Sequence, residues 1–261
     1  MRSPESLGLQ AKEITHPARK GCRGRDFTLL RVTAVSLKLI IGNKNYSSWS
    51  LRAWLFLKQS QLEFEEIKLA LFTEQWETEI KRYTPAGKVP VLLDGDIAIW
   101  DSIAMMEYVR ENFPNTVGWP SDRAARAHAR SIAAEMHAGF MAVREELPQN
   151  LRVCQQRSLD DFSSIARAEI HRIETLWQDC FERYGGPWLC GDFSIADVMY
   201  VPVALRFVTY GITLNPVAQR FITAVRALEP VQLWCEDAAR EEESLPFIDA
   251  RMPGYAGSRA S

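Results

Sequence analysis

Apolar residues at Leu37, Leu39, Ile40 and Ile41 make a short, almost unbroken run that Gly42 and Asn43 end, the signature of a buried strand with a turn behind it. The spacing then changes: Leu51, Trp54, Leu55 and Leu57 recur at helical intervals between Trp49 and Leu57. Phe64, Ile67 and Leu69 suggest a second strand, and Gln75 to Tyr83 a short helix. Val89 to Leu93 reads as a third strand with proline near its start. Asp94-Gly95 turns it back into Ile97-Ala98-Ile99 as a hairpin. A helix over Asp101–Phe113, carrying Ile103, Met106, Tyr108 and Val109, closes the unit. The order strand, helix, strand, helix, hairpin, helix predicts a compact α/β domain over 37–113.

Two prolines and a glycine mark 114–121 as a linker, and beyond it the strand signal vanishes. Helical periodicity covers Asp122–Leu147, Ser158–Tyr184, Ile195–Tyr210, Pro216–Leu228 and Val231–Glu241. The expected architecture is α/β plus all-α, with the helical domain over 122–245 and an irregular tail over 246–261. Residues 1–36 are basic and show no sustained period, so they are read as a poorly ordered extension and set outside the fold. They lack the apolar core of a secretory signal.

Composition narrows the chemistry. A net charge of −2 offers no basic field for nucleic acid or anionic lipid. No apolar run approaches the ~18 residues that cross a bilayer. The five cysteines are scattered without a C-x-x-C pair, which argues against a disulfide framework, a zinc knuckle and a dithiol site, and makes a cytoplasmic setting the default. No metal site is expected. His128, His137 and His171 lie on helices without partners at metal spacing and read as structural or exposed.

Three stretches carry candidate chemistry. In Thr84-Pro85-Ala86-Gly87-Lys88-Val89-Pro90-Val91-Leu92 a proline opens a strand, where it removes a ladder donor. Either it is an edge-strand proline, or Val89–Pro90 is cis and frees the main chain of Val89 to pair with a peptide-like ligand. In Ile99-Trp100-Asp101-Ser102-Ile103-Ala104, Asp101 or Ser102 caps a helix. The same start also suits a group bearing both a carboxylate and an ammonium. In Asn45-Tyr46-Ser47-Ser48-Trp49-Ser50-Leu51-Arg52 the serines cap a helix, or donate a hydrogen bond to a thiolate stabilised by the helix N-terminus. No histidine lies nearby in sequence to make a serine the nucleophile.

These segments resemble motifs of the cytosolic glutathione transferases. The first is similar to their NP-x-GKVP-x-L stretch with Thr84 in place of asparagine, and the second to E/Q-S-x-A-I with Asp101 one methylene short. The third is similar to the SS-C-S-x-R-V-R motif of the zeta class and maleylacetoacetate isomerases, with Trp49 where that class has cysteine. A fourth, Trp188 to Asp197, is similar to the family's GD-x-x-S-x-AD helix-capping signature, with Ser194 and Asp197 at capping-box spacing before an apolar helix that contains Pro202. The resemblance spans Leu37 to Glu241 and implies a thioredoxin-like domain followed by a helical-bundle domain, assembled as a homodimer.

It further implies that Pro90 follows a cis bond, that Val89 pairs with the cysteinyl backbone of glutathione, and that Lys88 reaches its glycine carboxylate. Asp101 and Ser102 would hold the γ-glutamyl end. Ser47 would meet the thiol, with Ser48 and Tyr46 as the other candidates. Tyr46, Trp49, Phe140, Met141, Phe207, Tyr210 and Trp234 are available to line a second, apolar subsite.

The expected function is a glutathione transferase acting on small electrophiles, a detoxification chemistry. Two alternatives stand beside it: a glutathione-dependent cis–trans isomerase using Arg52 and Arg144 for a dicarboxylic substrate, and a non-catalytic binding protein on the same fold. A thiol–disulfide reductase is disfavoured, because no cysteine occupies the loop from Tyr46 to Ser50.

Overall fold

The computed structural model describes residues 37–252. The extension read over 1–36 and the end of the tail lie outside the described residues.

β1 (Leu37–Ile41) is followed by α1 (Ser48–Gln59), β2 (Phe64–Lys68) and α2 (Glu74–Glu79), which runs into a 3₁₀ turn at Ile80–Arg82. β3 (Val91–Asp94), β4 (Ile97–Trp100) and α3 (Ser102–Asn112) complete the unit. The sheet order is β2-β1-β3-β4; β1 pairs parallel with β2 and antiparallel with β3, and β3 pairs antiparallel with β4. The near-continuous apolar character of β1 follows from burial on both faces. Leu37, Leu39 and Ile41 join the large core, while Ile40 joins a second cluster with Trp76, Ile80 and Val91. Alternation along one strand therefore serves two cores.

The helical part comprises α4 (Arg123–Ala138), α5 (Met141–Glu146), α6 (Ser164–Tyr184), α7 (Ile195–Tyr210), α8 (Pro216–Ala227), α9 (Glu229–Arg240) and a single turn, α10 (Pro246–Asp249). α7 is buried on almost every side and packs against α1, α4 and α8. Its start is held by Asp197, whose carboxylate accepts from the Ser194 amide at 2.8 Å, the Ser194 hydroxyl at 2.9 Å and the Leu189 amide at 2.8 Å. The helix continues through Pro202.

Three of the differences from the sequence reading have a clear local reason. The long helix expected over Asp122–Leu147 breaks at Gly139 and Phe140, where Phe140 takes a left-handed φ of 59°. The Arg144 guanidinium closes the break by donating to the carbonyls of Met136 and Gly139, which the end of α4 leaves without partners. α6 starts at Ser164 because Ser158 caps a separate turn and Ser163 caps the helix itself. The tail expected to be irregular from residue 246 instead makes α10, with Leu245 buried in the second cluster and the Asp249 carboxylate accepting from Tyr46.

Candidate functional site

A cavity of about 250 Å³ opens where four pieces of chain meet: Trp49 from α1, the segment Ala86–Pro90, Trp100 at the end of β4, and Asp101 and Ser102 at the start of α3. The Val89–Pro90 bond is cis. Pairing of β3 begins at Val91, opposite Ile40 and Trp100, so the main chain of Val89 stands outside the ladder and borders the cavity. Thr84 shapes the approach: its hydroxyl accepts from the Ala86 amide at 3.1 Å, and Gly87 supplies the φ of +62° that the turn needs.

The start of α3 brings polar groups to the cavity. Asp101 caps the helix, one oxygen accepting from Ile103 at 2.9 Å and Ala104 at 3.4 Å. It does so with φ of 75°, an uncommon backbone state for a non-glycine residue and of the kind that clusters at binding sites. Its second oxygen faces His137 Nε2 at 3.3 Å. Ser102 is fully buried, lines the cavity, and its hydroxyl has no hydrogen-bond partner. A buried hydroxyl left so costs about 1–3 kcal/mol, a deficit that an acceptor entering the cavity removes. The predicted residues Lys88, Val89, Pro90, Asp101 and Ser102 thus share one cavity.

The three predicted thiol partners separate. Ser47 is the N-cap of α1; its oxygen accepts from the Ser50 amide at 3.2 Å, and its proton points to Ser50 Oγ at 2.7 Å. The capping bond occupies its oxygen and leaves the O–H as the available donor. Ser48, the first residue of α1, accepts from Arg206 Nη2 at 3.2 Å. Tyr46 lies on the other side of the turn: its hydroxyl donates to Asp249 at 3.1 Å and accepts from Arg152 at 3.0 Å. Burial first, and the Asp249 charge after it, push its pKa up. None of Tyr46, Ser47 and Ser48 is among the residues that line the cavity, and the Tyr46 proton is committed to Asp249.

The residue that reaches the cavity from this loop is Trp49. Arg52 lies 4.5 Å and Arg144 5.2 Å from its ring, and the His137 ring meets it edge-on at 5.3 Å. His137, read from the sequence as structural or exposed, joins Asp101 to Trp49 from α4. Arg52 and Arg206 are buried, and their hydrogen bonds go to neutral oxygens: Arg52 to the Met199 carbonyl, and Arg206 to the Leu147 carbonyl and Ser48. Both terminal nitrogens of Arg52 and Nη1 of Arg206 lack partners. Burial, and then the charges of Arg144 and Arg206, hold Arg52 well below the usual guanidinium range; burial and then Arg144 push Arg206 down to about 10. No alternation or helix period signals this convergence, because the three arginines come from α1, α5 and α7. Of the residues proposed for an apolar subsite, Phe207, Tyr210 and Trp234 are fully buried core residues, whereas Met141 is exposed.

Among the described residues no group of three His, Cys, Asp or Glu side chains could hold a metal ion, and no helix is long and apolar enough to cross a membrane.

Residues 46–112 match the family described as Glutathione S-transferase, N-terminal domain. A probable maleylacetoacetate isomerase of Caenorhabditis elegans is 28% identical over 174 residues, covering 65% of this chain and 78% of the relative. Glutathione S-transferase 1 of Dianthus caryophyllus is 28% identical over 167 residues, covering 62% and 73%. Among solved structures, a glutathione S-transferase from the Antarctic clam Laternula elliptica has a TM-score of 0.63 at 20% identity, over 79% of this chain and 95% of that one. A maleylacetoacetate isomerase from Methylobacterium extorquens AM1, with malonate and GSH bound, has a TM-score of 0.58 at 22% identity, over 80% of this chain and all of that one. A matching glutathione S-transferase N-terminal domain over residues 46–112, relatives that extend the likeness into the helical half, and a shared two-part fold make the chain similar to glutathione S-transferases over most of its described length.

Proposed function

We propose that the protein is a glutathione transferase that adds the glutathione thiolate to small electrophiles. The observation that carries this reading is the cavity beside the cis Val89–Pro90 bond, where a main chain outside the ladder and the orphaned Ser102 hydroxyl face the same space. Val89 pairs with the cysteinyl portion of the tripeptide as an added strand does. Ser102 and the first turn of α3 take the γ-glutamyl carboxylate, Asp101 its ammonium, and Lys88 the glycine carboxylate. The sulfur then lies toward α1, where the Ser47 hydroxyl and the helix N-terminus favour the thiolate. A homodimer in the cytoplasm belongs to the same reading. Its support is the apolar edge strand β4, where Ile97 and Trp100 are 53% and 43% exposed, and the free cysteines 154, 180, 190 and 235.

Calorimetry tests the binding half directly. Ser102→Ala weakens glutathione roughly tenfold, the loss expected for one charge-assisted hydrogen bond. Cysteinylglycine, which lacks the γ-glutamyl end, binds both proteins alike. Equal glutathione affinity in the two proteins would remove Ser102 from the site. Absence of both binding and aryl-halide turnover in the wild type would leave only the non-catalytic reading.

The arginines around Trp49 favour a second reading, glutathione-dependent isomerisation of a carboxylate-bearing substrate. Buried guanidinium groups without counter-ions are costly, and an anionic substrate group would relieve them. In that case Arg52→Met lowers turnover of a maleyl acid about tenfold or more, as loss of a hydrogen bond to a charged group requires, and spares 1-chloro-2,4-dinitrobenzene. An equal loss on both substrates would count against an anion subsite.

A further inference from the structure

The turn that presents Ser47 is held from the far end of the chain. Asn43 to Ser47 connect β1 to α1, with the Ser47 amide donating to the Asn43 carbonyl at 2.8 Å and the Tyr46 amide to the same carbonyl at 3.2 Å. Both oxygens of Glu241, a side chain only 6% exposed, accept consecutive amides of this turn: Lys44 at 2.7 Å and Asn45 at 3.0 Å. One carboxylate that clamps two adjacent N–H groups fixes the peptide plane between them, and bonds to an ionised acceptor are the stronger kind.

The neighbouring residues are tied in the same way. The Asn45 side chain donates to Asn150 at 2.9 Å and accepts from the Arg152 amide at 3.0 Å. The Tyr46 hydroxyl donates to Asp249, which also accepts from Asn150 at 2.9 Å and from Ser244 at 2.7 Å. Arg152 closes the circuit, donating to the carbonyls of Glu241 and Glu243 and to the Tyr46 hydroxyl. The Lys44 ammonium sits 5.3 Å from the rings of Trp54 and Trp234 and pairs with Asp237 of α9 at 2.8 Å. Leu245 adds an apolar contact, packing in the cluster that holds Tyr46 and Ile40.

So many buried bonds on so short a turn exceed what its fold requires, since a turn can satisfy its amides with water. What they fix is the start of α1. We propose that the segment from Glu241 to Asp249 is a strap that sets the reach of Ser47 into the site, with Glu241 and Asp249 as its positioning residues. The proposal rests on Ser47 as the thiol partner. A donor displaced by a fraction of an ångström loses much of its effect on a charged sulfur, while the tripeptide's other anchors at Val89 and Ser102 stay where they are.

Two isosteric variants of the full chain test this at separate points. Glu241→Gln sets an NH₂ against one of the two amide donors, and Asp249→Asn does the same against Tyr46 or Asn150. With glutathione and 1-chloro-2,4-dinitrobenzene, each raises the acid limb of the kcat/KM profile by roughly half a unit, the scale on which one donor shifts a thiol. Each lowers kcat by roughly three- to tenfold and leaves the glutathione KM within about twofold, the split expected when a reacting group is misplaced and binding is not. In a Ser47→Ala background neither change moves the limb further, which is the mark of residues acting through Ser47. The proposal fails if both variants keep the wild-type acid limb whatever happens to their melting temperature, or if their shifts add to that of Ser47→Ala. A wild-type protein that neither binds glutathione nor turns over the aryl halide would sink the transferase reading itself, a result distinct from either of those.

Discussion

Ser47→Ala lowers kcat/KM for an aryl halide by roughly ten- to a hundredfold, the range for losing one hydrogen bond to a charged group. It also moves the acid limb of the profile upward by about one unit, because the thiol of bound glutathione returns toward its ordinary pKa near 8.5. The Ser47 oxygen is occupied by the Ser50 amide, so its proton is the part left to offer, and Ser50 Oγ, which takes it here, already accepts from the Gly42 amide. Yielding that proton to a thiolate leaves no buried donor stranded.

Since Ser47 is also the cap of α1, alanine removes about 1 kcal/mol of helix stability along with the donor. Ser47→Gly separates the two effects: glycine keeps most of the capping energy and has no hydroxyl, so it should match alanine in rate and exceed it in melting temperature. Ser48→Ala has the smaller kinetic effect, its hydroxyl being turned toward Arg206. A Ser48→Ala loss larger than that of Ser47→Ala would transfer the role to Ser48.

What the sequence could disclose here was whatever is local. The apolar run of β1, the hairpin at Asp94-Gly95 and the helix starts marked by Ser47, Asp101 and Ser194 each leave a signal within a few positions, and each appears in the fold. The site is legible to the same extent: Lys88 to Pro90 and Asp101 to Ser102 are two short segments, and hairpin pairing brings them together. Direction is harder to read. Tyr46 and Trp49 are three residues apart, yet one faces Asp249 and the other the cavity, because the turn ends and α1 begins between them. Partners distant in sequence leave no trace at all. His137 meets Asp101 from α4, Arg206 meets Ser48 across 158 positions, and Glu241 clamps Asn45 across 196. Nothing periodic in either partner announces the other.

Asp197→Ala is expected to destabilise the protein more than any other single change considered. Its carboxylate is fully buried and is the acceptor for two amides and a hydroxyl, so removal strands three donors beside the most deeply buried helix. A loss of about 3–5 kcal/mol follows from breaking such a group, and at roughly 2–4 °C per kcal/mol for a chain of this size the melting temperature falls by roughly 6–20 °C. The pH dependence carries a second signature. Burial pushes the Asp197 pKa up to about 6, against the three hydrogen bonds that favour the anion. With the folded value above the unfolded one near 3.8, the folded state holds the proton more tightly, so this group's contribution is greatest below pH 4 and falls as pH rises through about 6. The stability gap between wild type and Asp197→Ala is therefore wider at pH 4 than at pH 7, by on the order of 2 kcal/mol. Chemical denaturation of both proteins at the two pH values measures it. A gap that widens toward pH 7 would mean that the hydrogen bonds outweigh burial and that Asp197 is held in the folded protein as a strong rather than a weak acid.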